Sequence, residues 1–234
     1  MLAILKKEIN SYFNSAIGYV VLAAYWIFGG FYFYLTCLAQ NSSNLSYMFS
    51  NLFIITLFIV PILTMRLLSE EKKQKTDQLL LTSPVSLISV ILGKYLAALL
   101  IFIICISVTI IYTITIAFFT HPDYPVILGN LLGIFLLSSA IISIGMFLSS
   151  ITENQIVAAI SGFATCIFIL LLDTIANYIP LEFLSKLFSN LSFMLHYNNF
   201  TLGVISLVDV VFFLSICVIF NFLTIRVFEK KRWA

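Results

Sequence analysis

The chain has 234 residues, 62% of them apolar and only 9% charged, with a formal net charge of +2. A soluble domain carries roughly a quarter charged residues, and one of this size leaves too much surface wet to hide so large an apolar fraction. The composition excludes an ordinary soluble enzyme and a disordered chain, and the small net charge offers no basic face for nucleic acid.

Residues 1–15, MLAILKKEINSYFNS, are too polar to cross a bilayer. Leu2, Leu5, Ile9, Tyr12 and Phe13 fall on one helical face, with Lys6, Lys7, Asn10 and Asn14 elsewhere, which predicts an amphipathic helix on the membrane surface. Between Glu8 and Arg66 no Asp, Glu, Lys or Arg occurs, and this run, interrupted by QNSSNLS at 40–46, holds two crossings. Long weakly charged runs recur along the rest of the chain, and a crossing helix needs roughly 20 apolar residues. The expected spans are 17–39, 47–68, 90–119, 128–150, 156–177 and 206–227. Barrel strands would need segments of about 10 residues with alternating polarity; the uninterrupted lengths here are those of helices, which satisfy their own backbone in lipid. The expected fold is an all-α polytopic membrane protein, one domain over 1–234.

Six crossings put both ends on one side. That side then carries Lys6, Lys7, Arg66, Lys72, Lys73, Lys75, Lys94, Arg226, Lys230, Lys231 and Arg232, and only Lys186 falls opposite. The excess of basic residues places both termini in the cytoplasm. The tail RVFEKKRWA suits the anionic inner leaflet.

The longest polar stretch is RLLSEEKKQKTDQLLLTSPVSLISVILGKYLA at 66–97. After its charged cluster, QLLLTSPVS reads as a short helix parallel to the membrane. Its exposed Leu79, Leu80 and Leu81 fit either a docking partner or the lipid surface. Span 4 opens with GNLLG, in which Gly129 and Gly133 stand at the spacing that lets helices approach closely. Between spans 5 and 6, Leu184, Leu187, Phe188, Leu191, Met194 and Leu195 share a face, which predicts an interfacial or re-entrant helix on the outer side, followed by a polar loop HYNNFT carrying His196. A lone histidine there reads as an interfacial or surface residue rather than a ligand.

Cys37, Cys105, Cys166 and Cys217 each sit in a different span, without a C-x-x-C pair, and read as packing residues. No metal site is expected. The chain has no G-x-x-x-x-G-K-[ST], H-E-x-x-H or G-x-S-x-G, so it lacks the sequence of an ATP-binding P-loop. Asp173 and Asp209 lie near span ends rather than at mid-depth, which disfavours an ion-coupled carrier or an intramembrane hydrolase.

The 66–97 stretch resembles the first cytoplasmic loop of ABC-2-type transport permeases, in the subgroup that includes the gliding-motility-associated and nitrous-oxide-maturation permeases. Those loops read E-E-x-x-x-G-T-x-E-x-L-L-x-S-P-V-S before a G-K-x-x-A helix. Glu70, Glu71, Thr76, Leu79, Leu80, Ser83, Pro84, Val85, Ser86, Gly93 and Lys94 fit, while Lys75 replaces the glycine and Gln78 the second glutamate. Near the end, Gly203, Val204, Ile205 and Asp209 match the family's final outer loop and helix. The resemblance implies a permease subunit without its own motor, a second permease chain beside it, and two copies of a separate ABC ATPase subunit beneath. It implies that a cytoplasmic coupling helix at 70–86 (with Asp77 and Gln78) seats in the ATPase, and that ATP and Mg bind the partner rather than this chain. An exporter of the bacterial inner membrane, in contact with lipid and with no nucleic acid, is the expected function. A self-contained secondary carrier or channel is the alternative, and an intramembrane enzyme a third reading; neither would need a docking helix.

Overall fold

The computed structural model describes residues 1–76, 86–120, 122–178, 186 and 188–233. Among them the chain is helical, without a strand. A surface helix α1 (Leu2–Phe13) precedes α2 (Ala16–Phe33), α3 (Ser46–Thr64), a short α4 (Ser69–Lys73), α5 (Leu87–Phe119), α6 (Tyr124–Ile151), α7 (Gln155–Tyr178), α8 (Phe193–Thr201) and α9 (Leu207–Trp233). Six of these, α2, α3, α5, α6, α7 and α9, are long and apolar enough to cross a membrane, and they overlie the six expected spans. The apolar runs become helices because lipid offers no partner for a free backbone N–H or C=O.

Helix α6 is the centre of the bundle and packs against α3, α4, α5, α7, α8 and α9. Its buried residues include Gly129, Gly133, Ser138, Ser139, Ala140, Ser143, Gly145, Ser149 and Ser150, small side chains that let neighbours approach on all sides. The hydroxyls of Ser138, Ser139, Ser143 and Ser150 donate to carbonyls one turn back, so they cost no unpaired donor inside the bundle. Two thirds of the apolar window is buried in α3 and in α6 (67% each), but only 28% in each of α2, α7 and α9. The first pair is core; the other three present broad apolar faces outward.

Several boundaries have local causes. Helix α2 widens into a π-turn at Tyr34–Leu38, where the Ala39 N–H reaches back to the Tyr34 carbonyl, and the chain reverses at Asn41 in the left-handed region. Pro61 sits inside α3 one turn before its end, and α7 meets it there through Gly162, where a Cβ would lie 3.0 Å from the proline ring. Helix α5 begins at Leu87, earlier than expected, because the Ser86 hydroxyl caps the Ser89 N–H. Its 33 residues span about 50 Å, more than the roughly 30 Å hydrocarbon layer, so it projects or tilts.

Helix α1 lies against α5 and α2. Of its expected apolar face, Tyr12 is buried and Leu5, Ile9 and Phe13 are half-buried, while Lys6, Lys7, Asn10 and Asn14 are exposed. Two residues depart from that pattern: Leu2 is 81% exposed, and Glu8 is drawn inward by the polar contacts described below. The region between α7 and α9 differs too. Leu184 and Leu187 of the expected apolar face lie outside the described residues. Turns at Phe188–Leu191 and Ser189–Ser192 end one segment, and the Ser192 hydroxyl caps the Leu195 N–H to start α8. This break resets the helical phase, so Phe193, Tyr197 and Phe200 are buried while Leu191, Met194 and Leu195 are exposed. HYNNFT, expected as a loop, is the body of α8.

Candidate coupling site

Helices α1 and α4, the start of α5 and the end of α9 meet at one end of the bundle. After α3 the chain turns at Met65–Leu68, and one side chain of α6 fastens that turn: the Ser149 hydroxyl accepts from the Leu68 and Ser69 N–H groups (3.1 and 3.0 Å) and donates to the Met65 carbonyl (3.1 Å). Helix α4, SEEKK, carries acids in its first turn and bases in its last, the order its dipole favours. The Lys72 ammonium donates to the Ser150 carbonyl and lies 5.8 Å from the Phe228 ring centroid, which joins α4 to α6 and α9.

Helix α4 closes in a Schellman turn. The Thr76 N–H reaches the Glu71 carbonyl (3.0 Å), the Lys75 N–H reaches the Lys72 carbonyl (3.1 Å), and Lys75 is left-handed at φ +57°. The Thr76 hydroxyl also donates to the Glu71 carbonyl. The position where related loops carry glycine is thus one whose backbone geometry favours glycine.

Two basic residues organise the charges. Arg66 pairs with Glu70 at 2.9 Å, donates to the Ser15 and Ser11 hydroxyls (2.7 and 3.2 Å), and lies over the Tyr12 ring. The Tyr12 hydroxyl donates to the Leu63 carbonyl at 2.7 Å; burial, with Glu8 nearby, pushes this phenol well above its ordinary pKa and keeps it a donor. Lys94 is 1% exposed. Its ammonium meets Glu8 Oε1, Glu71 Oε1 and the Leu67 carbonyl, each at 2.9 Å, so its three protons have three acceptors. Lys7 approaches Glu71 from the surface at 3.6 Å. A cleft of about 190 Å³ opens beside this cluster, bordered by Glu70, Glu71, Gln74 and Thr76.

Of the expected docking residues, the structure places Glu70, Glu71, Thr76 and Ser86; Asp77, Gln78, Leu79, Leu80, Ser83, Pro84 and Val85 lie outside the described residues. Glu71 points into the Lys94 cluster and Thr76 closes the turn, while Glu70 is partly exposed and Ser86 caps α5. The parts that the sequence pattern did not assign to this site are Glu8, Arg66 and Lys94. Lys94 carries one signal: it is the only charge in α5, and a lone charge in a membrane helix requires a partner.

At the opposite end, Gly129 and Gly133 of α6 face α8: a Cβ on Gly129 would lie 3.1 Å from Gly203 Cα, and one on Gly133 2.6 Å from Phe200 Cβ. Gly203 ends α8 at φ +77°, a conformation suited to glycine. His196, expected as an interfacial or surface residue, is half-buried and pairs through Nδ1 with Asp209 Oδ1 (2.5 Å) and through Nε2 with the Asn190 carbonyl (3.1 Å). Asn199 donates to Asp209 Oδ2 at 2.8 Å, so both oxygens of the buried carboxylate are bonded. The four cysteines are buried and free.

A six-span helical bundle with a surface helix and an ion-paired loop stem defines a polytopic membrane protein. Residues 35–226 match the family described as ABC-2 family transporter protein, and the chain belongs to that family: it is a membrane permease component of an ABC transporter. No curated protein matches the chain.

Proposed function

We propose that this chain is the permease of an ATP-driven exporter whose motor is a separate ATPase, docking on the loop between α4 and α5. The observation that carries the reading is the loop stem. Arg66, Lys72 and Ser149 fix residues 65–76 to the bundle, and the chain then runs through LLLTSPVS into the capped start of α5. A rigid stem on both sides of an apolar segment suits a segment that is pushed. Asp77, Gln78, Leu79, Leu80, Ser83, Pro84, Val85 and Ser86 are assigned to the docking surface, with Glu70 at its edge. Thr76 shapes the turn, and Glu71 acts from inside the chain.

Two ATPase copies hold ATP and Mg, and this chain pairs with a second permease chain, identical or related. The subgroup of the gliding-motility-associated and nitrous-oxide-maturation permeases fits the loop and the Gly203–Asp209 segment. The basic residues gather at the end formed by α1, α4 and the tail of α9, which supports termini facing the cytoplasm of a bacterial inner membrane.

The test is a pair of loop variants, Asp77→Lys and Leu80→Glu, each expressed in the native host and purified from its membrane, with the co-purifying ATPase measured. Each is expected to reduce ATPase recovered with the permease at least tenfold while the permease still reaches the membrane. Full recovery of ATPase by both variants, or transport that survives ATP depletion and collapses with the ion gradient, would contradict the reading.

A further inference from the structure

Lys94 stands where four segments converge. Its ammonium binds Glu8 of α1, Glu71 of α4 and the Leu67 carbonyl in the turn after α3, and its own backbone is in α5. The preceding residue makes the convergence possible: a Cβ on Gly93 would lie 3.2 Å from Ile4 Cγ2 and 3.5 Å from the Met1 carbonyl, so α1 rests directly on α5 there. A buried ion pair contributes little net stability compared with apolar side chains of equal volume, because both charges lose their hydration. Stability alone therefore gives weak reason for an ion cluster here, whereas placement gives a direct one. The cluster also retains slack: Glu71 Oε2 is buried without a hydrogen-bond partner among the described residues, and the adjoining cleft of about 190 Å³ leaves room for that carboxylate to shift.

We propose that Lys94 is a positioning residue that makes the loop stem, α1 and the start of α5 move as one body. Displacing the stem moves Glu71; Lys94 carries the displacement into α5, and Glu8 carries it into the surface helix. α1 is then a driven element rather than a passive anchor. This relay rests on the driven-permease reading above and adds to it a path by which the loop acts on the membrane surface.

The test uses the permease–ATPase complex in lipid nanodiscs, with nitroxide pairs at Lys75→Cys/Glu153→Cys and at Asn10→Cys/Glu153→Cys. The first pair reports the stem and the second α1, each against the α6–α7 turn, before and after trapping with ATP and orthovanadate. In the wild-type background both distances are expected to change. Glu8→Leu removes α1's bond to Lys94 and leaves Lys94 paired with Glu71 and Arg66 bonded to Ser11; the combined Glu8→Gln, Glu71→Gln and Lys94→Met chain removes the cluster without leaving a lone buried charge. In either variant the stem is expected to shift as before, while the α1 shift falls below half of its wild-type size. A variant in which the stem moves and α1 keeps half or more of its shift would overturn the relay. A wild-type stem that stays still on trapping would overturn the driven reading and the relay with it, and that result is distinct from a stem that moves without needing Lys94.

Discussion

Lys75 occupies a left-handed position, φ +57°, at the end of α4, where a side chain costs roughly 1–2 kcal/mol and glycine costs almost nothing. The substitution Lys75→Gly is expected to stabilise the purified chain by about 0.5–1 kcal/mol once the extra freedom of an unfolded glycine is deducted, and Lys75→Val to destabilise it by about 1–2 kcal/mol. Thermal unfolding in detergent measures both, and a loss of stability in Lys75→Gly would count against the Schellman turn. Lys94 gives the opposite case. Replacing it alone with Met leaves Glu8 without its cation and Glu71 with only the more distant Lys7, which is expected to cost about 3–5 kcal/mol, whereas neutralising all three residues together should cost far less. If Lys94→Met were as stable as the neutral triple variant, the carboxylates would not depend on that ammonium.

At the scale of elements, the glycines of the bundle separate into those held by contact and those that are merely present. A Cβ on Gly133 would come within 2.6 Å of Phe200 Cβ, but one on Gly30 would meet only the Tyr112 hydroxyl, at 3.4 Å. Gly133→Ala is therefore expected to lose about 1–3 kcal/mol by forcing α8 off α6, and Gly30→Ala to be neutral or to gain up to about 1 kcal/mol of helix propensity. Equal effects in the two unfolding experiments would contradict the packing of α8. The long helices were readable in the sequence because charge is nearly absent from them, and α2, α3, α5, α6, α7 and α9 fall on the expected spans. The inward face of α8 was not readable: the Ser192 cap interrupts the helical phase, so a face drawn through Leu191, Met194 and Leu195 describes the exposed side. The Lys94 cluster was hidden for another reason. Glu8, Glu71 and Lys94 are far apart in the chain, and only the folding of α1 across α5 brings them together. The Lys75 substitution was visible as a departure from the loop pattern, but its meaning required the backbone angle.

At the scale of the whole molecule, α2, α7 and α9 each pack on the α3–α6 core and expose broad apolar faces outward, as a bilayer or a second permease chain requires. The proposed orientation predicts that Asp123→Cys, at the turn before α6, reacts with a membrane-impermeant maleimide added to intact cells. Glu153→Cys, at the turn after α6, should react only after the membrane is opened; the reverse pattern would invert the topology. The stem residues, the relay and the termini all then face the compartment that holds ATP. The most direct test of the central claim is to solubilise the wild-type chain and Leu80→Glu from their own membrane and identify what accompanies each. The wild-type chain should carry a P-loop ATPase, and Leu80→Glu should lose it. A wild-type chain that transports without any ATPase attached would show that the loop has no motor to receive.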